Sequence, residues 1–262
     1  MEKLKVMVVF GTRPEAIKMA PLVLELQKHS DCIETITVVT AQHRQMLDQV
    51  LETFRIQPNY DLDIMGKNQS LLEITAKILQ KFDPIVKKEL PDMILVHGDT
   101  TTTFVASLVA FYNQVRIGHV EAGLRTFDKY SPFPEEMNRQ MTDSLADLYF
   151  APTSESKENL LKENHPESAI VITGNTAIDA LKLTVQSDYY HEVLDQLDPD
   201  KKLVLVTMHR RENQGQPMRN VFVALREMVD LHQEIEVVYP VHLSPAVQEA
   251  ANDILAGHDR IH

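Results

Sequence analysis

The sequence lacks the side chains that disulfide-stapled folds and cysteine-based metal sites require. Cys32 is the only cysteine among 262 residues, so an intramolecular disulfide and a cysteine-based zinc site are both excluded. Although there are 11 histidines, none is paired with a carboxylate at the spacing of a metal-ligand motif such as HExxH. We therefore expect no metal site.

Long apolar runs, a signal peptide and an excess of basic residues are also missing. No apolar run approaches the roughly 18 residues that span a bilayer. The start, "MEKLKVMVVFGTRPE", has an apolar run of about six residues that ends in Gly-Thr-Arg rather than in a small-residue cleavage site. Acidic residues outnumber basic ones by 38 to 26, and the net charge of −12 repels phosphate backbones. We expect a soluble cytoplasmic protein that binds neither membranes nor nucleic acid.

Short apolar runs rich in Val and Ile alternate along the chain with longer amphipathic segments. Near-continuous apolar runs are typical of strands buried on both faces of a parallel sheet. The predicted strands are residues 5–10, 36–40, 93–98, 115–120, 147–152, 169–174, 203–209 and 236–242. Helical patterns lie between them, at 15–29, 70–90, 103–113 and 218–233 among others. This alternation predicts an α/β fold with right-handed crossovers.

A polar, charge-rich interval at 183–202 separates six predicted strands from the last two. We place the boundary just before it, which gives a doubly wound domain at 1–174 and a second α/β unit at 175–262. An open sheet of two strands is marginal, so the second domain is expected to be unfinished at His262.

Charged side chains follow several of the predicted strands. Asp99 follows the third strand, and Glu121 and Glu135 follow the fourth within "GHVEAGLRTFDKYSPFPEEMNRQ". Ligands of open α/β sheets bind at the carboxyl ends of the strands, and clustered carboxylates raise the pKa of at least one member. Solvated loop charge is the simpler alternative. The residues indicate proton transfer on an anionic substrate, and leave epimerisation, glycosyl transfer and hydrolysis open.

Several motifs resemble the non-hydrolysing UDP-N-acetylglucosamine 2-epimerases, in the right order along the whole chain. They are "FGTRPEAIKMAPL", "TAQHRQMLDQVL", "VHGDTTTTF", "GHVEAGLRT", "YSPFPEEMNRQ", "ITGNTAIDAL" and "HRREN". The resemblance implies two Rossmann-like domains of the glycosyltransferase-B type with the substrate between them, the second domain being incomplete because family members are longer. It also implies cofactor-independent, reversible C2 epimerisation of UDP-GlcNAc to UDP-ManNAc through 2-acetamidoglucal, which supplies ManNAc for cell-surface polysaccharide.

The resemblance assigns roles to individual residues. The implied catalytic residues are Asp99, Glu121, Glu135 and His209. The implied substrate-binding residues are Arg13, Lys18, Arg139, Asn175 and Arg210. Some members bind a second UDP-GlcNAc as an allosteric activator, through positions matched by Gln42, Gln45 and His242 together with Arg210, although an arginine of that site is replaced by Lys67 or Asn68. The family also implies a homodimer.

Two alternatives remain beside the epimerase. A nucleotide-sugar glycosyltransferase of the same fold would need an acceptor, and would not need three acids around one sugar carbon. A non-catalytic UDP-sugar-binding fragment is the other, because the chain stops at "DRIH", before the family's segment that holds the diphosphate.

Overall fold

The computed structural model describes residues 3–41, 44–66, 69–210 and 213–262, with only the backbone described at residues 44 and 45. The strands are β1 (Leu4–Phe10), β2 (Ile33–Val39), β3 (Tyr60–Asp61), β4 (Met93–His97), β5 (Arg116–Val120), β6 (Leu148–Ala151), β7 (Ile170–Ile172), β8 (Lys202–Leu205) and β9 (Ile235–Val238). The helices are α1 (Arg13–Lys28), α2 (Arg44–Thr53), α3 (Leu71–Glu89), α4 (Thr101–Tyr112), α5 (Glu135–Leu145), α6 (Ser154–Lys162), α7 (Thr176–Thr184), α8 (Gln216–Leu231) and α9 (Pro245–Ile254).

The chain forms two compact units, Met1–Val185 and Gln186–His262. In the described part of the first unit, the strands form a parallel sheet in the order β3-β2-β1-β4-β5-β6-β7. This is the predicted doubly wound α/β architecture. Strand β3 was not predicted from the sequence, because its two residues are too few to form an apolar run.

The sheet is covered on both faces, which explains the continuous apolar strands. Side chains alternate across a strand, so Val6, Val8 and Phe10 of β1 pack with α1 and α2 in one core. Met7 and Val9 pack with α3 and α4 in the other. The two cores fix the carboxyl ends of the central strands.

The first unit ends at Val185, past the 174/175 boundary predicted from the sequence. Helix α7 belongs to it: Ala180 is buried in the same core as α1. The polar interval at 183–202 begins at the end of α7 (Thr176–Thr184), so the boundary between the units follows α7 and does not precede it.

The second unit holds the parallel pair β8 and β9 with α8 and α9. Its core includes Met218, Phe222 and Tyr239. Ile261 forms a parallel bridge with Val237 of β9.

Among the described residues, no helix has the length and apolar character needed to cross a membrane.

Candidate active site

The centre of the first unit's sheet is a topological switch point. From β1 the chain continues outward to β2 on one side, while β4 lies on the other side of β1. Ligands of open α/β sheets bind in the crevice at such a point, beyond the carboxyl ends of the strands. The loops that follow β1, β4 and β5 meet here, and they carry most of the predicted first-unit residues.

Glu15 ties the loop after β1 to the helix after β4. Its Oε2 accepts hydrogen bonds from the backbone N–H groups of Gly11 (3.0 Å) and Thr12 (2.7 Å). Its Oε1 accepts from the hydroxyls of Thr100 (2.7 Å) and Thr103 (3.1 Å). Burial raises the pKa of Glu15, against the lowering effect of these hydrogen bonds. The only sign of this role in the sequence is the spacing of Thr12 and Glu15, which is that of a capping box; the two residues form one.

Gly11 is required by close packing between the end of β2 and the start of α4. A Cβ at this position would lie 2.1 Å from Thr40 Oγ1 and 2.5 Å from Thr102 Oγ1. Those two hydroxyls share a buried hydrogen bond of 2.8 Å. A side chain at position 11 would therefore separate β2 from α4, since heavy atoms do not approach so closely.

Glu121, the first residue after β5, lies at the centre of the cluster. Its φ of +67° is unusual for a non-glycine residue. Lys18 Nζ of α1 lies 2.5 Å from Glu121 Oε1, and Asn175 Nδ2 donates to the same oxygen at 3.4 Å. The Glu121 side chain is 14% exposed. The structure thus brings three of the predicted residues together from elements far apart in sequence.

His97, the last residue of β4, approaches the other oxygen of the same carboxylate. His97 Nε2 lies 3.4 Å from Glu121 Oε2, but this contact lacks hydrogen-bond geometry and both ring nitrogens are buried without a partner among the described residues. Burial, followed by the charges of Lys18 and His119, lowers the pKa of His97 to about 3. The ring is therefore neutral. Sequence reasoning missed it because a strand-end histidine is usually a core residue.

Asp99 lies beside Arg139, whose Nη1 is 3.3 Å from Asp99 Oδ2. Asn138 Nδ2 donates to the Asp99 backbone carbonyl at 2.9 Å. Burial raises the pKa of Asp99; the negative charges of Glu135 and Glu121 add to the rise, and Arg139 opposes it. A carboxyl group with a raised pKa stands where the sequence leads us to expect one.

Of the adjacent pair at the start of α5, Glu135 is half-buried and Glu136 is buried. Glu136 accepts from the backbone N–H groups of Thr126 and Phe127, both at 3.1 Å. It also accepts from Arg139 Nε at 2.8 Å. Burial alone would raise the pKa of Glu136, but these hydrogen bonds and the Arg139 charge lower it. Glu136 thus anchors the loop between β5 and α5, a role that the sequence did not reveal.

A chain of hydrogen-bonded side chains, centred on the buried Asp143, connects the loops after β4 and β5. His119 of β5 places Nε2 2.7 Å from the Gly98 carbonyl and Nδ1 2.6 Å from Asp143 Oδ1. Arg125 Nη2 donates to Asp143 Oδ2 at 2.7 Å and to Glu163 at 2.6 Å. This chain, also missed from sequence, joins the residue before Asp99 to the loop after β5.

The remaining predicted residues whose side chains the structure describes are exposed. Arg13 is exposed at the first position of α1. In the second unit, His209 and Arg210 follow β8 and His242 follows β9, and all three are exposed. The rings of His209 and His242 stack, with centroids 5.3 Å apart and an interplanar angle of 20°.

Four predicted positions of the activator site cannot be placed in full. Gln42, Lys67 and Asn68 lie outside the described residues, as does the side chain of Gln45. No group of three or more His, Cys, Asp or Glu side chains in the described part of the chain could hold a metal ion.

Comparison with known proteins identifies the family. The model of the family described as UDP-N-acetylglucosamine 2-epimerase matches residues 24–262. The chain is 60% identical over 262 residues to the UDP-N-acetylglucosamine 2-epimerase of Bacillus subtilis. The aligned region covers 100% of this chain and 68% of the relative. The chain belongs to the UDP-N-acetylglucosamine 2-epimerase family. The resemblance stated from the motifs is therefore confirmed.

Solved structures show the same fold. A putative UDP-N-acetylglucosamine 2-epimerase from Listeria monocytogenes is similar with a TM-score of 0.90 and 57% identity, over 99% of this chain and 68% of that one. The UDP-GlcNAc 2-epimerase from Neisseria meningitidis, solved bound to UDP-GlcNAc, is similar with a TM-score of 0.86 and 47% identity, over 99% and 71%. The predicted α/β fold class of the glycosyltransferase-B type is confirmed, and the epimerase chain described here spans about two thirds of the length of these relatives.

Proposed function

We propose that this chain catalyses the reversible epimerisation of UDP-GlcNAc and UDP-ManNAc at C2 of the sugar. The observation that carries the proposal is the placing of Asp99 and Glu121 at neighbouring strand ends, with Glu135 at the start of α5 near enough for its charge to raise the pKa of Asp99. The chain that carries these residues is 60% identical over its length to an epimerase. The related enzyme from Neisseria meningitidis was solved with UDP-GlcNAc bound, which supports the same substrate here.

The chemistry explains why several acids are useful. The C2 hydrogen is not next to a carbonyl, so its direct removal is very unfavourable. Breaking the C1–O bond first releases UDP and develops positive charge at C1, which acidifies C2–H. A base then takes the C2 proton, and the electrons of that bond form the C1–C2 double bond of 2-acetamidoglucal. Re-addition of UDP at C1, with a proton delivered to the opposite face of C2, completes the inversion. Two faces require at least two acid/base groups.

The cluster supplies candidates for these groups. We assign acid/base and intermediate-stabilising roles to Asp99, Glu121 and Glu135. The raised pKa of Asp99 favours the protonated form, which suits a proton donor. Arg139 supports Asp99 through their 3.3 Å contact, and Lys18 supports Glu121 through their ion pair.

Other roles follow the family motifs. We assign His209 to the UDP leaving group, and Arg13, Asn175 and Arg210 to substrate binding. A second UDP-GlcNAc acting as an activator at Gln42, Gln45 and His242, a homodimer, a cytoplasmic location and the supply of ManNAc to cell-surface polymers remain predictions.

Incubation of the full-length protein with UDP-GlcNAc in D₂O, without an acceptor, tests the reaction. NMR should show UDP-ManNAc with deuterium at C2, because the returning proton comes from a group that exchanges with solvent. Glu121→Gln and Asp99→Asn should each lower turnover by at least about 100-fold while their circular dichroism stays unchanged.

Retention of hydrogen at C2 in the product would exclude elimination and re-addition. A requirement for an acceptor would favour the glycosyltransferase alternative. Unfolding of both variants would indicate that the two acids have structural roles instead.

A further inference from the structure

His97 is a buried polar side chain that the roles assigned so far do not use. It is 4% exposed, and neither ring nitrogen has a hydrogen-bond partner among the described residues. Buried polar atoms are nearly always paired, and an unpaired one destabilises the fold. A histidine kept in such a position at the end of a central strand therefore calls for a partner close by.

The group that faces His97 is the Glu121 carboxylate. Nε2 of His97 lies 3.4 Å from Glu121 Oε2, while the other carboxylate oxygen is held by Lys18 at 2.5 Å. The His97 backbone is fixed at the strand end, because its carbonyl accepts from Thr103 Oγ1 at 2.5 Å. The two atoms are already 3.4 Å apart, so a small reorientation of the Glu121 side chain would align Oε2 with the Nε2–H and complete a hydrogen bond.

The protonation state of His97 suits a neutral donor. Its pKa is lowered to about 3 by burial and by the charges of Lys18 and His119, so the ring carries one N–H. A second cation beside Glu121 would weaken the carboxylate as a base, whereas a neutral N–H fixes one oxygen without cancelling its charge. Hydrogen bonds of catalytic groups are often long in unliganded structures and shorten in the substrate complex.

We propose that His97 is a positioning residue of the candidate active site: its neutral Nε2–H donates to Glu121 Oε2 when substrate is bound, while Lys18 holds Oε1. The carboxylate is then clamped at both oxygens and presented in one orientation. The inference rests on the proposed epimerase function for its kinetic consequence. The pairing of His97 with Glu121 stands on geometry and has its own measurement.

His97→Leu separates a positioning role from a structural one. Within the described part of the chain the His97 ring has no hydrogen bond to lose, so Tm should stay unchanged or rise by about 2–4 °C. Turnover should fall by about tenfold or more, with KM within about twofold, because the reacting group is misplaced while the substrate contacts remain. His97→Gln, which keeps an N–H donor, should recover most of the lost turnover.

His165→Leu is the matched control. His165 is also largely buried, but its Nδ1 is paired with the Tyr149 hydroxyl at 2.9 Å. This variant should lose Tm and keep its turnover. Parallel losses of Tm and turnover in His97→Leu, without recovery in His97→Gln, would overturn the proposal.

NMR of the full-length protein labelled with ¹⁵N in histidine decides the pairing without reference to activity. His97 should be the Nε2–H tautomer from pH 5 to 8, and added UDP-GlcNAc should shift that proton downfield in wild type but not in Glu121→Ala. An Nδ1–H tautomer, or the same shift in Glu121→Ala, would reject the pairing. Absence of epimerisation by wild type would instead reject the proposed function, and the NMR result would still show whether His97 pairs with Glu121.

Discussion

Asp143 holds a fully buried negative charge between two groups on different elements, His119 of β5 and Arg125 of the following loop. Burial alone would raise the pKa of Asp143, but the charges and hydrogen bonds of His119 and Arg125 lower it below the ordinary 3.8. Because the pKa is lower in the folded than in the unfolded chain, the carboxylate stabilises the fold above the unfolded pKa. That stabilisation is lost as the pH falls through the folded pKa.

We therefore expect Asp143→Asn to reduce the free energy of unfolding by about 3–5 kcal/mol near neutral pH, since it removes the buried carboxylate that faces the Arg125 guanidinium and the His119 ring. The difference from wild type should be constant down to about pH 5 and shrink below about pH 4. Urea denaturation at a series of pH values measures it. Exposed Asp188 provides the control, because Asp188→Asn should change stability by less than about 0.5 kcal/mol. A deficit in Asp143→Asn that persists unchanged at pH 3 would contradict the assigned charge state.

Single residues also show where sequence reasoning succeeds and fails. Asp99 and Glu121 could be predicted because parallel strands bring their carboxyl ends to one edge of the sheet. Glu15, His97 and Asp143 could not be predicted. Their roles depend on side chains that are distant in sequence, and those contacts are visible only in the folded structure. The Lys18–Glu121 pair joins residues 103 positions apart, a distance that no local pattern covers.

At the scale of elements, the start of α5 controls the loop after β5. Glu135 and Glu136 are neighbours in sequence, yet Glu136 is buried and Glu135 is half-buried, because the orientation of α5 decides which side chain packs against the loop. The sequence singled out Glu135 and could not distinguish its role from that of Glu136, because packing against the loop, not residue type, decides burial. The parallel sheet itself was predictable, since continuous apolar runs require cover on both faces.

Glu136→Gln should loosen the loop from α5. The substitution replaces charge-assisted hydrogen bonds to the amides of Thr126 and Phe127 by weaker neutral ones. Hydrogen–deuterium exchange at these two amides should speed up by about tenfold or more. Glu135→Gln changes the adjacent charge without touching either amide bond, so it should leave their exchange rates unchanged. Equal acceleration in both variants would mean that charge density at the helix start, not the Glu136 bonds, holds the loop.

For the whole molecule, the two units differ greatly in their means of stabilisation. The first has the large parallel sheet with a core on each face, whereas the second has the pair β8 and β9 and one small core. Sequence predicted two units but ended the first too early, because the pattern of α7 is local while its assignment depends on packing against the core of α1.

Expression of residues 1–185 alone should give a cooperatively melting protein. Residues 1–174 should melt at least about 4 °C lower, since removal of α7 uncovers the core around Ala180. Residues 186–262 should be largely unfolded, because an isolated two-stranded sheet is marginal. Circular dichroism melts of the three chains compare these outcomes. Equal melting temperatures for 1–174 and 1–185 would place the boundary at the earlier position after all.

The left-handed backbone at Glu121 has a consequence for laboratory evolution. Glycine adopts this conformation without the steric cost that a Cβ brings, which is about 1–2 kcal/mol. A variant library sorted for heat resistance alone would therefore enrich glycine at position 121 and apolar residues at position 97. Such a screen would select well-folded but inactive variants. A search for more heat-resistant forms of this enzyme therefore has to select for activity as well as for stability.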